Sequence, residues 1–205
     1  MNVAIVGGTG AFGRALARRL HDVGFDVVIG SRDARRGWER AVELGVSGGS
    51  NEEAVRDADL VVLAMKSDAT IDTARELAEA IGDTPVLCVA SDLRFTENGV
   101  LPGRESRSLA EELAETIRAP VASGLQSVAA VELARGSLDQ DALVCGDDAR
   151  AKELALELAG KLVSGRAIDV GPLANSRALE ALTAVILNVN KTFKAHAGVR
   201  LTGLP

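Results

Sequence analysis

Val3-Ala4-Ile5-Val6-Gly7-Gly8-Thr9-Gly10-Ala11-Phe12-Gly13 is the stretch whose reading decides the fold. Its first four residues are apolar and mostly β-branched, the composition of a buried strand. Glycines at 8, 10 and 13 follow at once. Phe12, Leu16 and Leu20 then recur one turn apart, with Arg14, Arg18 and Arg19 largely off that face, as in an amphipathic helix. A second apolar run, Val27-Val28-Ile29, ends in Gly30-Ser31-Arg32. Strand, glycine turn, helix and strand in this order make the first βαβ unit of a dinucleotide-binding fold.

Each glycine has a task in that reading. Gly8 permits the tight turn out of the strand, Gly10 lets the backbone approach a diphosphate with no Cβ in the way, and Gly13 lets the helix lie close to the strand. The helix start adds free N–H groups and the positive end of the dipole. A glycine turn without a ligand is the competing account; strand and helix in the required order favour binding. The end of the second strand then chooses the cofactor. Sites for NAD place Asp or Glu there to hold the ribose 2′-hydroxyl. This chain has Ser31-Arg32, with Arg35 and Arg36 close behind. A hydroxyl and guanidinium groups suit a 2′-phosphate, which a carboxylate would repel, so NADP is favoured. Ser31 as a helix cap and arginines as solvated surface are the plainer alternative.

Composition sets further bounds. The 205 residues are 47% hydrophobic but only 2% aromatic, with no Tyr, so the core is built of Ala, Val, Leu and Ile. Stacking platforms for single-stranded nucleic acid are nearly absent. A net charge of −6 and a pI of about 5.1 argue against nucleic acid or an anionic membrane as partner. The first residues run straight into a strand without a basic and apolar leader, and no apolar run approaches membrane-spanning length. Cys88 and Cys145 sit in apolar runs and read as buried, reduced thiols, which fits the cytoplasm; a metal site needs more ligands at closer spacing.

Further along, the sequence predicts a helix over Asp33–Leu44 stopped by Gly45, a loop or short strand to Ser50, and a short helix over Asn51–Asp57. Asp59–Met65 is a continuous apolar strand of the kind a parallel sheet covered on both faces demands. A helix over Ala69–Ile81, a strand over Val86–Ala90 and a long loop over Ser91–Arg107 follow. Next come a helix over Ser108–Ile117, a strand over Pro120–Ser123 and a short helix over Val128–Leu133. Ala142–Cys145 reads as a strand, Asp148 as a helix cap and Arg166–Val170 as a strand. In the last helix Leu179, Leu182, Ile186, Val189 and Phe193 form an apolar stripe suited to core or to a subunit contact. The expected architecture is α/β, a Rossmann-type doubly wound parallel sheet over 1–140 with a small, mainly helical part over 141–205.

Five motifs in order carry a resemblance: Gly7-Gly8-Thr9-Gly10, Gly30-Ser31-Arg32, Val144-Cys145-Gly146-Asp147-Asp148, Gly171-Pro172-Leu173-Ala174-Asn175-Ser176-Arg177 and Lys194-Ala195-His196-Ala197-Gly198. Together, over essentially the whole chain, they resemble the NADPH-dependent reductases of the deazaflavin coenzyme F-420 (F420). The resemblance implies hydride transfer between NADP(H) and F420. It places NADP against Thr9 to Phe12, Ser31, Arg32 and Arg36, and lays the deazaflavin against the nicotinamide, between the carboxyl ends of the sheet and a C-terminal part that closes the cleft. The cofactor-binding set expected on it is Gly7, Thr9, Gly10, Ala11, Phe12, Ser31, Arg32, Arg36, Ala64, Met65, Ile71, Ala130 and Ala197. The chain departs from the family pattern at Lys66-Ser67, where Pro-Trp is expected, at Ser91-Asp92, where proline is common, and at Gln126, where histidine is usual.

Hydride transfer between two rings needs apposed faces and a dry site, not a nucleophile. Accordingly no catalytic side chain and no metal ligand is expected; His21 reads as surface and His196 as structural. Small residues at Gly124, Ala129, Ala130, Ala197 and Gly198 would leave room for two flat rings, or simply pack tightly. Lys66, Lys191, Lys194 and Arg200 are candidates for the anionic tail of F420. Two alternatives stand beside this reading: an NADPH-dependent reductase of a flavin, imine or ketone, and a non-catalytic NADP-binding redox sensor. The partners expected are a small-molecule cosubstrate and a second copy meeting the last helix.

Overall fold

A computed structural model describes residues 1–136 and 138–204. The first half runs β1 (Asn2–Val6), α1 (Ala11–Asp22), β2 (Asp26–Ser31), α2 (Ala34–Leu44), β3 (Ser47–Ser50), α3 (Asn51–Val55), β4 (Leu60–Leu63), α4 (Ser67–Glu76), α5 (Ala78–Ile81) and β5 (Val86–Cys88). The second runs β6 (Leu93–Thr96), β7 (Gly99–Pro102), α6 (Leu109–Thr116), β8 (Val121–Gly124), α7 (Ala130–Leu133), β9 (Ala142–Gly146), α8 (Ala149–Leu162), β10 (Ala167–Asp169), a 3₁₀ turn (Leu173–Asn175) and α9 (Ser176–Phe193). One eight-stranded sheet has the order β10-β9-β8-β5-β4-β1-β2-β3. Successive strands leave β1 in opposite directions, which opens a crevice at its carboxyl end, the place where such sheets bind ligands.

The apolar runs are continuous because both faces of the sheet are covered. Val3 and Ile5 of β1 enter one buried cluster with Leu16 and Leu20 of α1 and Leu154 and Leu158 of α8. Ala4 and Val6 point the other way, into a second cluster with Ala74 of α4, Ile81 of α5 and Leu109 and Leu113 of α6. Side chains of Val, Leu, Ile and Ala fill both layers, as the near absence of aromatic residues requires. The amino-terminal half of α9 covers β9 through Leu179, which packs with Leu143 and Cys145.

The elements depart from the sequence expectations in three places. The sheet does not stop at residue 140: β9 and β10 extend it, and β9 pairs antiparallel with β8, Gly124 opposite Val144. Among the described residues between β8 and β9 the one helix is the single turn of α7, too short for the crossover a parallel return needs, and β9 re-enters antiparallel. The true crossover is α8, and β10 lies parallel to β9. Secondly, the expected loop Ser91–Arg107 contains an antiparallel hairpin, β6 with β7, closed by Glu97-Asn98 with Gly99 at φ +128. Thirdly, the helix expected over Ala69–Ile81 is two pieces, α4 and α5, interrupted at Leu77.

Candidate active site

The carboxyl ends of β1, β2 and β4 enclose a cleft of about 960 Å³. Its floor is the turn from β1 into α1. Gly7 has φ +85, and a Cβ there would lie 2.9 Å from the Ala64 carbonyl oxygen of β4. The left-handed residue of the turn is therefore Gly7, not Gly8 as the glycine spacing suggests. Gly8 is small for a different reason: a Cβ would sit 2.5 Å from Ile29 Cβ. Gly13 keeps its expected role, since a Cβ would reach within 2.4 Å of the Gly7 carbonyl oxygen and push α1 off the strand. Gly10 is the residue before α1, and no side chain caps that helix. Its first N–H groups thus remain available to an anion at the positive end of the dipole.

One wall is the end of β2. Ser31 is buried, and its Oγ accepts the Asp33 N–H at 3.3 Å. The cap of α2 is Asp33, whose Oδ1 accepts the Arg36 N–H at 3.2 Å. Ser31 is therefore not the helix cap, and its hydroxyl proton stays available. Arg35 lies 3.7 Å from Glu39 along the helix and does not line the cleft. Arg32 and Arg36 do line it, and neither has a carboxylate partner among the described residues.

Gly7, Thr9, Gly10, Ala11, Phe12, Ser31, Arg32, Arg36, Ala64 and Met65 thus come together around one cavity. Three expected residues lie outside it. Ile71 joins Met65 in the apolar cluster beneath α4. Ala130 opens α7, which packs against α1. Ala197 donates its N–H to Asn190 Oδ1 at 2.6 Å in the C-terminal segment. Asn51, Asp68, Ala69 and Thr73 also line the cleft and were not picked out by motif or spacing. Of these, Asn51 had a readable sign, a polar residue directly after the Ser-Gly-Gly-Ser strand beside the second one.

On the far side of the sheet's carboxyl edge, the residues that depart from the family pattern are tied to one another. Ser67 Oγ donates to Asp92 Oδ1 at 3.2 Å, and Arg104 Nε donates to Asp92 Oδ2 at 2.7 Å. Arg104 also bonds Glu112. Ser91 Oγ meets Thr183 Oγ1 at 2.8 Å, and Thr183 Oγ1 donates to the Gln126 carbonyl oxygen at 3.1 Å. Gln126 Nε2 donates to Ser123 Oγ at 2.8 Å and to the Cys88 carbonyl at 3.3 Å. The hairpin is held to α9 at two points, the Val100 N–H on Asn188 Oδ1 at 2.9 Å and Asn188 Nδ2 on the Val100 carbonyl at 2.7 Å. Gly124 and Gly198 are small because of packing rather than for ring space. A Cβ would meet the Leu143 carbonyl oxygen at 2.9 Å from the first and Gln140 Oε1 at 1.7 Å from the second.

With the cleft defined, comparison with known proteins places the chain. Residues 2–91 match the family model described as NADP oxidoreductase, coenzyme F420-dependent. The chain is 32% identical to the F420-dependent NADP reductase of Methanocaldococcus jannaschii, over 100% of this chain and 99% of that protein. The corresponding reductase of Methanothermobacter marburgensis is 33% identical, with 100% of both covered. The chain belongs to the F420-dependent NADP reductase family. A crystal structure provisionally named as such a reductase, from Arthrobacter sp. FB24, superimposes with a TM-score of 0.86 at 26% identity, covering 98% of this chain and 99% of that one.

Away from the cleft lining, three buried groups have shifted titration. Glu180 is buried on α9, and its Oε1 accepts the Leu109 N–H at 2.9 Å and the Ala110 N–H at 3.3 Å. Burial raises its pKa to about 7 against those hydrogen bonds. Burial also pushes both thiols up to about 12, which makes them poor nucleophiles. Cys88 pairs with Ser123 and Ser123 with Cys145, so the thiols lie two strands apart. That is roughly 9–10 Å, beyond the ~7 Å a disulfide tolerates. Among the described residues no His, Cys, Asp or Glu cluster could hold a metal, and no helix is long and apolar enough to cross a membrane.

Proposed function

We propose that this protein transfers a hydride between NADP(H) and the deazaflavin F420, with the cleft over β1, β2 and β4 as the NADP site. The observation that carries the NADP half is the wall of the cleft, where Ser31 and two arginines with no carboxylate partner among the described residues stand where an NAD site has an acid. Full-length similarity to F420-dependent NADP reductases supports the second substrate. The two rings supply the redox chemistry, nicotinamide C4 giving or taking the hydride. The chain binds, orients and excludes water. Backbone from Gly7 to Phe12 holds the diphosphate, with the Thr9 hydroxyl alongside. Ser31, Arg32 and Arg36 hold the 2′-phosphate. Ala64 and Met65, backed by the apolar cluster that includes Ile71, border the adenosine side. Ala130 and Ala197 are small residues toward the nicotinamide and the second ring.

The division at residue 140 is one of labour, since the strands beyond it belong to the same sheet. Residues 1–140 carry NADP, and 141–205 close the second-substrate side. The carboxyl half of α9 exposes Val185 and Phe193, 57% and 73% accessible, and Phe95 and Leu101 are exposed on the hairpin docked beside it. A second copy of the chain covers this apolar face in a homodimer, which sedimentation would show and Phe193→Asp would abolish. Buried reduced thiols fit a cytoplasmic enzyme, and a net charge of −6 fits a protein that does not bind nucleic acid.

One observation favours a second reading, in which NADPH reduces another acceptor: Ser67 and Asp92 put a hydroxyl and a carboxylate where the family pattern has Trp and proline, and Gln126 stands for its histidine. Isotope transfer separates the two. NADPH carrying deuterium at both C4 positions should pass one deuterium to reduced F420. Label reaching only a flavin or an imine, with none on F420, would establish the second reading.

A further inference from the structure

Asn51 stands where β3 becomes α3, and no part of the NADP reading uses it. Ser50 of the edge strand β3 pairs with Ser31 of β2, so Asn51 lies one residue beyond that pair, beside the strand end that carries Ser31 and Arg32. Its side chain lies over Gly30, where a Cβ would come within 2.8 Å of Asn51 Oδ1 and 3.0 Å of its Cα. It lines the same cleft as Ser31, Arg32 and Arg36.

The fold gives this amide nothing to do. The cap of α3 is Ser50, whose Oγ accepts the Glu53 N–H at 3.1 Å while Glu53 Oε2 accepts the Ser50 N–H at 2.9 Å. Asn51 Oδ1 is buried and has no hydrogen-bond partner among the described residues. An acceptor laid against the Gly30 Cα–H is the cheaper orientation, because the reverse would bury two unsatisfied N–H donors. Nδ2 is therefore the end that faces the cleft.

We propose that Asn51 is a cofactor-selecting residue whose Nδ2 donates to the 2′-phosphate of NADP, with Gly30 as the clearance that lets the amide reach it. The inference rests on the NADP reading of the cleft. Two guanidinium groups beside it suit an anion: Arg32 and Arg36 have no carboxylate partner among the described residues, while of the two carboxylates on the same lining, Asp33 and Asp68, the first accepts the Arg36 N–H. The neutral amide adds two donors and no charge. A carboxylate of the same shape would repel the phosphate, which is the selection an acid performs in NAD sites.

The test uses fragments that differ in that phosphate alone, adenosine 2′,5′-bisphosphate and 5′-AMP, titrated by calorimetry into the full chain. Asn51→Asp should weaken the bisphosphate about tenfold to a hundredfold and leave AMP within about twofold. Asn51→Ala should give a smaller loss of the same kind, about three- to tenfold. Equal weakening of both fragments, or of neither, while Arg32→Ala still abolishes the preference for the bisphosphate, would overturn the role of Asn51 and leave the cleft reading intact. Loss of no preference in Arg32→Ala either would overturn the cleft reading itself. Should Asn51→Asp fail to fold, Gly30→Ala decides, since it displaces the amide without removing it: a selective loss for the bisphosphate supports the proposal and an unchanged preference rejects it.

Discussion

Arg32 and Arg36 differ from Arg35 between them in a way that sequence alone does not show: Arg35 is drawn to Glu39, and they meet no carboxylate among the described residues. A guanidinium without a partner beside a cleft is set to take an anion, and a charge-assisted contact to phosphate is worth about 1.5–3 kcal/mol. Arg32→Ala should therefore weaken NADPH by about that much in a fluorescence titration and leave NADH nearly unchanged; equal loss for both would show that Arg32 does not read the 2′-phosphate. Motif reading found the glycine turn and the arginine cluster because both are runs of adjacent residues. It gave the tight turn to Gly8, whereas the positive φ falls at Gly7, because only the backbone angle distinguishes two neighbouring glycines. Asn51 escaped it because an orphaned amide is defined by what surrounds it in space.

Most strands and helices of the first half follow from periodicity to within a few residues, since continuous β-branched runs and amphipathic helices are local signals, while the break at Leu77 does not. The hairpin of β6 and β7 was hard to read because Leu93–Thr96 alternates over four residues only and Gly99-Val100-Leu101-Pro102 does not alternate, although Asn98-Gly99 at their junction is a turn signal. The antiparallel turn into β9 was not legible, because strand direction depends on where a connection crosses the sheet. The contact between α9 and α6 is likewise non-local and carries a pH dependence. Glu180 holds its proton up to about 7 in the folded chain against an ordinary value of 4.5, so its contribution to stability is complete below about 4.5 and is lost as pH rises through about 7. Arg104 faces the same carboxyl and favours its ionised form, and the Cys88 thiol beside it stays neutral across that range. Asp141 adds no slope there, because the Arg166 guanidinium holds its carboxyl far below the usual carboxylate range. Melting curves of the unmodified protein should thus fall relative to Glu180→Gln between about pH 5 and pH 8. Parallel curves would show that Glu180 does not titrate in the fold.

At the scale of the molecule, the C-terminal segment is fastened to the sheet rather than left loose: the Leu201 N–H bonds Asp141 Oδ2 at 2.8 Å, and the Asp141 N–H bonds the Val199 carbonyl at 2.7 Å. Arg200 is committed to Asp139 in that clamp, so it leaves the set of cations available to an anionic tail of F420. Lys66, at the cleft, and Lys191 and Lys194, at the end of α9, remain. With NADPH saturating, the KM for F420 should rise with ionic strength, and the slope should flatten when Lys66 and Lys194 are both changed to Gln. A KM indifferent to salt in the unmodified enzyme would remove the tail-binding role from this surface. The central claim is hydride exchange between NADP(H) and F420, and the direct measurement is to mix protein, NADPH and oxidised F420 without oxygen and follow the absorbance of each. One NADPH should be consumed for each deazaflavin reduced, at a rate proportional to enzyme. NADPH bound in the cleft with no loss of the oxidised deazaflavin band would contradict it.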